Sequence, residues 1–117
     1  MYNKREVGIN FENTAVNFLL ENGFEIVERN FFCTAGEIDI IAKHDGYLVF
    51  IEVKYRKDNT KGEPEEAVGL AKQRRIIKVA KYYLMKNKIS TDIPIRFDVV
   101  AILGNSIKII KNAFEVC

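Results

Sequence analysis

The dipeptide Asp45-Gly46 stands between two strand-like runs, Glu37–Ala42 and Tyr47–Arg56, and it limits the folding options of this chain more than any other feature. An Asp-Gly pair between apolar alternating segments is a strong hairpin signal, because both residues tolerate the positive φ that tight β-turns require. With Lys43–Gly46 as a four-residue loop, Ala42 faces Tyr47, Asp39 faces Phe50 and Glu37 faces Glu52. Side chains alternate with period two, so Glu37, Asp39, Glu52, Lys54 and Arg56 are expected on one face of the sheet.

Elements on either side of the hairpin complete the outline. Residues 4–22 read as an amphipathic helix in which Val7, Phe11, Ala15, Val16, Phe18, Leu19 and Leu20 form the apolar arc. Glu12 breaks the pattern by falling inside that arc, and Asn22-Gly23 supplies a stop. A strand over Phe24–Phe32 precedes the hairpin, and a polar loop over Lys57–Gly62 follows it. A second helix should run from Pro64 or Leu70 to Lys88. Strands over Ile95–Leu103 and Ile107–Lys111 then flank a Gly104-Asn105 turn. The order αβββαββ, over 117 residues, predicts one α/β domain spanning 1–117, a mixed central sheet with helices packed against it.

Glu12 lies on the helical face that must pack on this sheet, so it is expected to join the carboxylates of the hairpin. Carboxylates crowded together raise one pKa unless something compensates, and a buried unpaired one is costlier still. A divalent cation among them resolves the conflict. Oxygen donors without imidazole or thiolate favour Mg²⁺ or Mn²⁺ over Zn²⁺. Read one at a time, Glu37 and Glu52 are equally edge-strand charges facing water, and Lys54 a cross-strand partner.

Composition excludes several other classes. At 48% hydrophobic and 29% charged residues the chain matches an ordinary globular protein, and no apolar stretch is long enough to span a membrane. No apolar region follows the charges of Met-Tyr-Asn-Lys-Arg-Glu-Val-Gly, so no secretory signal is expected. Cys33 and Cys117 have no metal-ligand spacing and read as reduced thiols of a cytoplasmic protein. No P-loop, dinucleotide fingerprint or Ser/His/Asp constellation occurs.

The formal net charge of +2 conceals a polarised chain: residues 54–88 carry +7 and the remainder −5. On the second helix Arg74, Lys78 and Lys81 occupy an outer arc with Arg75 at its edge. Together with Arg56, Lys57, Lys61 and Lys72 they suggest a track for a nucleic-acid backbone. Gln73, Ile77, Ala80 and Leu84 form the inner stripe, which puts Gln73 on the buried side near the helix start, where it is read as bonded to backbone. His44 is read as a solvated turn residue, and Asp98 as a partner of Arg96 or Lys54. Tyr47, Tyr55, Tyr82 and Tyr83 suit either base stacking or the edges of a core.

The set Glu12 … Asp39 … Glu52-Val53-Lys54 resembles the PD-(D/E)XK nuclease superfamily. A longer ordered match sharpens this: Glu12-Asn-Thr-Ala15, Gly36-Glu-Ile-Asp39, Phe50-Ile-Glu-Val-Lys-Tyr-Arg56, Glu66-Ala-Val68, Lys72-Gln73, Arg96-Phe-Asp-Val-Val100 and Asn112-Ala-Phe114. It covers nearly the whole chain and is similar to the YraN-like family of predicted bacterial endonucleases. The first half also resembles archaeal Holliday junction resolvases. Phe11 departs from the family pattern, which has a small residue before the helical Glu. The resemblance implies a restriction-endonuclease-like αβββαβ core and a Mg²⁺- or Mn²⁺-dependent endonuclease acting on DNA, branched or structured DNA included. It implies that Asp39 and Glu52 ligate the metal, with Glu12 and the Val53 carbonyl as further ligands and Lys54 as the fixed catalytic cation. Glu37 and Gln73 would stand behind them. Resolvases act as dimers, which leaves a homodimer open. The alternative is a catalytically silent nucleic-acid-binding module on the same fold.

Overall fold

The computed structural model describes residues 4–57 and 68–115, with side chains from Asn10 onward. The element order is α1 (Lys4–Glu21), β1 (Glu25–Cys33), β2 (Gly36–His44), β3 (Tyr47–Arg56), α2 (Leu70–Lys86), β4 (Ile95–Leu103) and β5 (Ser106–Phe114). Lys61, the helix start at Pro64, the Glu66-Ala67 pair, the Val7 side chain and Cys117 lie outside the described residues.

The five strands form one sheet in sequence order, antiparallel except for β3 and β4, which run parallel. A parallel neighbour needs a crossover, and α2 lies within the one that links β3 to β4. The chain is therefore a mixed α/β protein with an αβββαβ core extended by β5. No helix among the described residues is long and apolar enough to cross a membrane.

Each face of the sheet carries one helix and one half of the core. On one side Ile76, Val79, Ala80, Tyr83 and Leu84 of α2 pack on Phe31, Ile38, Ile41, Phe50, Phe97 and Val99. On the other, Ala15 and Leu19 of α1 pack on Ile40, Ala42, Val49, Ile51, Val100 and Ile102. Strands buried on both faces read as continuous apolar runs, which is the pattern of Val99–Leu103 in the second half of β4. The α2 stripe is set one residue from the expected one: Ile76 and Val79 are buried, while Gln73 and Ile77 are half-buried. Leu20, at the margin of the α1 arc, is exposed.

The hairpin register departs from the expected one. His44 pairs with Tyr47 and Ile41 with Phe50, so the loop is Asp45-Gly46 alone. Both residues have positive φ, 50° and 83°. A two-residue turn of this kind matches the twist of the flanking strands, which a four-residue loop need not do. The shift moves β2 by two residues along β3.

Candidate functional site

Pairing between β2 and β3 runs from His44↔Tyr47 to Ile40↔Ile51. The pairing ends there; just beyond it Asp39 bonds the Val53 amide and feels the charge of Glu52, where the expected register put Asp39 against Phe50 and Glu52 against Glu37. The local backbone changes here. Ile40 packs with α1 while Ile38 packs with α2, so the alternation of β2 breaks at Asp39. On the neighbouring strand Arg29 reaches α1 and Phe31 contacts the α2 rings, with Asn30 between them at φ 55°. Asn is among the few residues that adopt this left-handed conformation readily. The expectation that parity holds along β2, with Glu37, Asp39, Glu52, Lys54 and Arg56 on one face, therefore fails at Asp39. Its carboxylate points along the sheet instead, where Oδ2 accepts the Val53 amide hydrogen at 2.8 Å.

Glu52 projects on the α2 side and is only 6% exposed. Its Oε1 meets two lysine ammoniums, Lys54 Nζ at 3.5 Å and Lys72 Nζ at 3.2 Å. Among the described residues, no lysine or arginine forms an ion pair with Asp39. Burial pushes its carboxyl up from the usual 3.8 to about 7; the charges of Glu52, then Glu37 and Glu12, push the same way, and the Val53 amide partly opposes them. The crowding anticipated from sequence is real, and it is concentrated on one carboxylate.

Glu12 is on the α1 side, across the sheet from Glu52. It accepts from Arg29 Nε at 2.9 Å and from Asn30 Nδ2 at 3.0 Å. Its nearness to Asp39 is electrostatic, and it is the weakest of the four raising influences there. Among the described residues no three His, Cys, Asp or Glu side chains are grouped to hold a metal ion. The expected three-carboxylate cluster is thus a pair, Asp39 and Glu52, with Glu12 held apart by basic and amide partners on β1. Sequence reasoning missed Arg29 and Asn30, because nothing in Glu28-Arg-Asn marks a strand bend. Phe11, the departure from the family pattern, stacks on Tyr55 with ring centroids 3.7 Å apart.

Lys72, expected on the phosphate track, also pairs with Glu52, a partnership that sequence reasoning did not assign to it. Gln73 Nε2 donates to the Val68 carbonyl at 3.0 Å, which realises the backbone-bonded reading. Glu37 is exposed at the start of β2. Lys57, Arg74, Arg75, Lys78 and Lys81 are all exposed, and Arg56 is half-buried.

A second polar cluster lies on the α1 face, toward the hairpin turn. Asp98 is 1% exposed and takes three hydrogen bonds from Arg96, the shortest 2.7 Å, plus the Asn112 amide at 2.9 Å. Asn112 has φ 53°, and Asp98 satisfies the amide that this bend removes from the β4–β5 ladder. Arg96 also bonds His44 Nδ1 at 3.0 Å, while His44 stacks on Phe24. His44 is therefore a buried residue, not a solvated turn residue: shortening the loop to two residues makes it the last residue of β2. Of the tyrosines, Tyr83 is core, Tyr55 stacks on Phe11, and Tyr47 covers Arg96 at 5.3 Å.

The donors at the Asp39–Glu52 seam are hard oxygens, and burial, followed by the charge of Glu52, raises the Asp39 carboxyl to about 7. That chemistry fits a small divalent cation that keeps several waters.

A mixed α/β sheet opening at an acid pair, Glu52 buried and Asp39 half-buried, with a lysine two residues after the second acid, is the class of site this chain presents. The chain belongs to the uncharacterised protein family UPF0102, whose model matches residues 11–102. It is 52% identical to a UPF0102 protein of Lachnoclostridium phytofermentans, over 97% of this chain and 96% of that one. It is 45% identical to a UPF0102 protein of Caldicellulosiruptor saccharolyticus over 96% and 99% of the two chains. A Clostridium botulinum member is 42% identical over 98% of each.

Proposed function

We propose that this protein is a metal-dependent endonuclease of the PD-(D/E)XK type that hydrolyses phosphodiester bonds in DNA, with branched or structured DNA as the favoured substrate. The observation that carries this reading is the convergence of Asp39 and Glu52, near enough for the Glu52 charge to act on Asp39, with Lys54 3.5 Å from Glu52. An acid pair with an adjoining fixed cation is what phosphodiester hydrolysis needs.

Asp39 and Glu52 would hold Mg²⁺ or Mn²⁺. When bound, the cation supplies charge for the phosphoryl oxygens and acidifies a water. The Val53 N–H fixes the direction of the Asp39 carboxylate through a 2.8 Å bond. Lys54, restrained by its strand, orients the attacking water and stabilises negative charge on the phosphorus oxygens. The water oxygen bonds to phosphorus and gives up a proton to solvent, the bond to the leaving sugar oxygen breaks, and that oxygen takes up a proton from solvent. Glu12, tied to Arg29, supports the seam from the far side without being a direct ligand. The exposed Lys57, Arg74, Arg75 and Lys78, beside Arg56, offer the nucleic-acid backbone a basic surface.

A panel of four-way, flap and linear DNA incubated with Mg²⁺, Mn²⁺ or Ca²⁺ tests the reading. Mg²⁺- or Mn²⁺-dependent cleavage that disappears in Asp39→Ala and Lys54→Ala, with circular dichroism unchanged, supports it. Cleavage undiminished in either variant overturns the assignment. Tight binding of the same DNA without cleavage under any metal would instead favour a silent binding module.

A further inference from the structure

Glu52 is the most heavily neutralised carboxylate at the seam, since two ammoniums share its single Oε1 at 3.5 Å and 3.2 Å. Their anchoring differs. Lys54 sits two residues away on the same strand, with its side chain 26% exposed. Lys72 arrives from the first turn of α2 and is 36% exposed, so leaving for water costs it only a partly screened ion pair. With both lysines in place, two ammoniums already balance the charge of two ionised carboxylates. A divalent cation added to that set leaves an excess of two positive charges within a few ångströms. The least anchored cation is the one such repulsion expels.

We infer that Lys72 is a built-in counter-ion for Glu52, which a divalent cation displaces and which then joins the basic face of α2 as a phosphate contact. The inference rests on the metal site proposed above. It adds an order of events that the site alone does not have: metal loading frees a cation for the nucleic acid. Lys72 is then a positioning residue, acting through Glu52 before loading and on the backbone afterwards. Because binding free energies are reciprocal, nucleic acid must in turn tighten the metal.

Calorimetric titration with Mn²⁺ of the wild-type chain, Lys72→Ala and Lys72→Gln tests this, with Lys43→Ala, exposed and distant on β2, as a control for charge alone. Removing the competitor should tighten Mn²⁺ binding about three- to tenfold, the size expected of one partly exposed ion pair. The control should stay within about twofold, because a distant exposed charge is screened. Lysine ammonium NMR on the wild type gives an independent readout: on saturation with Mg²⁺ the Lys72 signal should move to the solvent-averaged position while the Lys54 signal stays shifted. A labelled four-way DNA junction should bind wild type more tightly in Ca²⁺ than in EDTA, and Lys72→Ala should lose about three- to tenfold of that gain. Mn²⁺ binding equal in wild type and both Lys72 variants, or a Lys72 signal unmoved by Mg²⁺, overturns the inference and leaves the metal site standing. A wild-type chain that takes up no Mn²⁺ overturns both.

Discussion

Asp39 receives the amide hydrogen of Val53 at 2.8 Å, so a side-chain oxygen does what a strand carbonyl would otherwise do at the place where β2 and β3 part. This couples the direction of an ionisable group to the geometry of the sheet. It also makes the protonation of Asp39 a stability variable.

The Asp39 carboxyl is raised from 3.8 to about 7, chiefly by burial and then by Glu52. Between these two values the folded chain holds a proton that the unfolded chain has released, so stability falls as pH rises through that window and levels off above 7. Asp39→Asn keeps the shape without the charge. Urea denaturation in EDTA should show it about 1–3 kcal/mol more stable than wild type at pH 8, with the difference vanishing near pH 4. A variant no more stable at pH 8 than at pH 4, relative to wild type, refutes the strained carboxylate.

The acids should differ in what their loss does to cleavage. Asp39→Ala, Glu52→Ala and Lys54→Ala should each lower Mg²⁺-dependent cleavage by about 10²-fold or more, as expected for groups acting on the reacting centre. Glu12→Gln retains acceptor capacity toward Arg29 and Asn30 and should cost less than about tenfold, the scale of an outer support. Single-turnover rates on a junction substrate separate the two classes, and a Glu12→Gln loss as deep as that of Asp39→Ala would place Glu12 on the metal directly.

Asp98 is buried with Arg96, and breaking such a pair leaves an uncompensated charge inside the protein. Asp98→Ala should destabilise the fold by about 3–5 kcal/mol in urea titrations. It also removes the acceptor of the Asn112 amide, so increased hydrogen exchange at Asn112 should accompany the loss.

The basic face should act through salt. Reversing Lys57, Arg74 and Lys78 to Glu should weaken DNA binding across all sequences and flatten the slope of log affinity against log salt by about 2–3. Fluorescence anisotropy between low and moderate salt gives the slope directly, and an unchanged slope removes these residues from the interface.

Much of this molecule was legible in the linear chain because it depends on local chemistry. Asp45-Gly46 specified a hairpin because its conformational freedom is a property of two adjacent residues. The apolar patterns of α1, α2 and β4 specified elements because periodicity is read along a single segment. Glu52 and Lys54 share a face because they are two residues apart on one strand. What depends on packing between segments was not legible. The register of β2 on β3 followed the shorter turn, bringing Asp39 toward Glu52, and alternation breaks at Asp39 opposite the positive-φ Asn30 of β1. Lys72 pairs with Glu52, and Glu12 with Arg29. Both choices were made by which charge lay nearest in space, a distance that sequence separation does not encode. The sequence by itself determined the order of the elements and the kinds of charged groups they carry; the tertiary structure decided which charges meet, because electrostatic partnership depends on separations of a few ångströms between elements far apart in the chain.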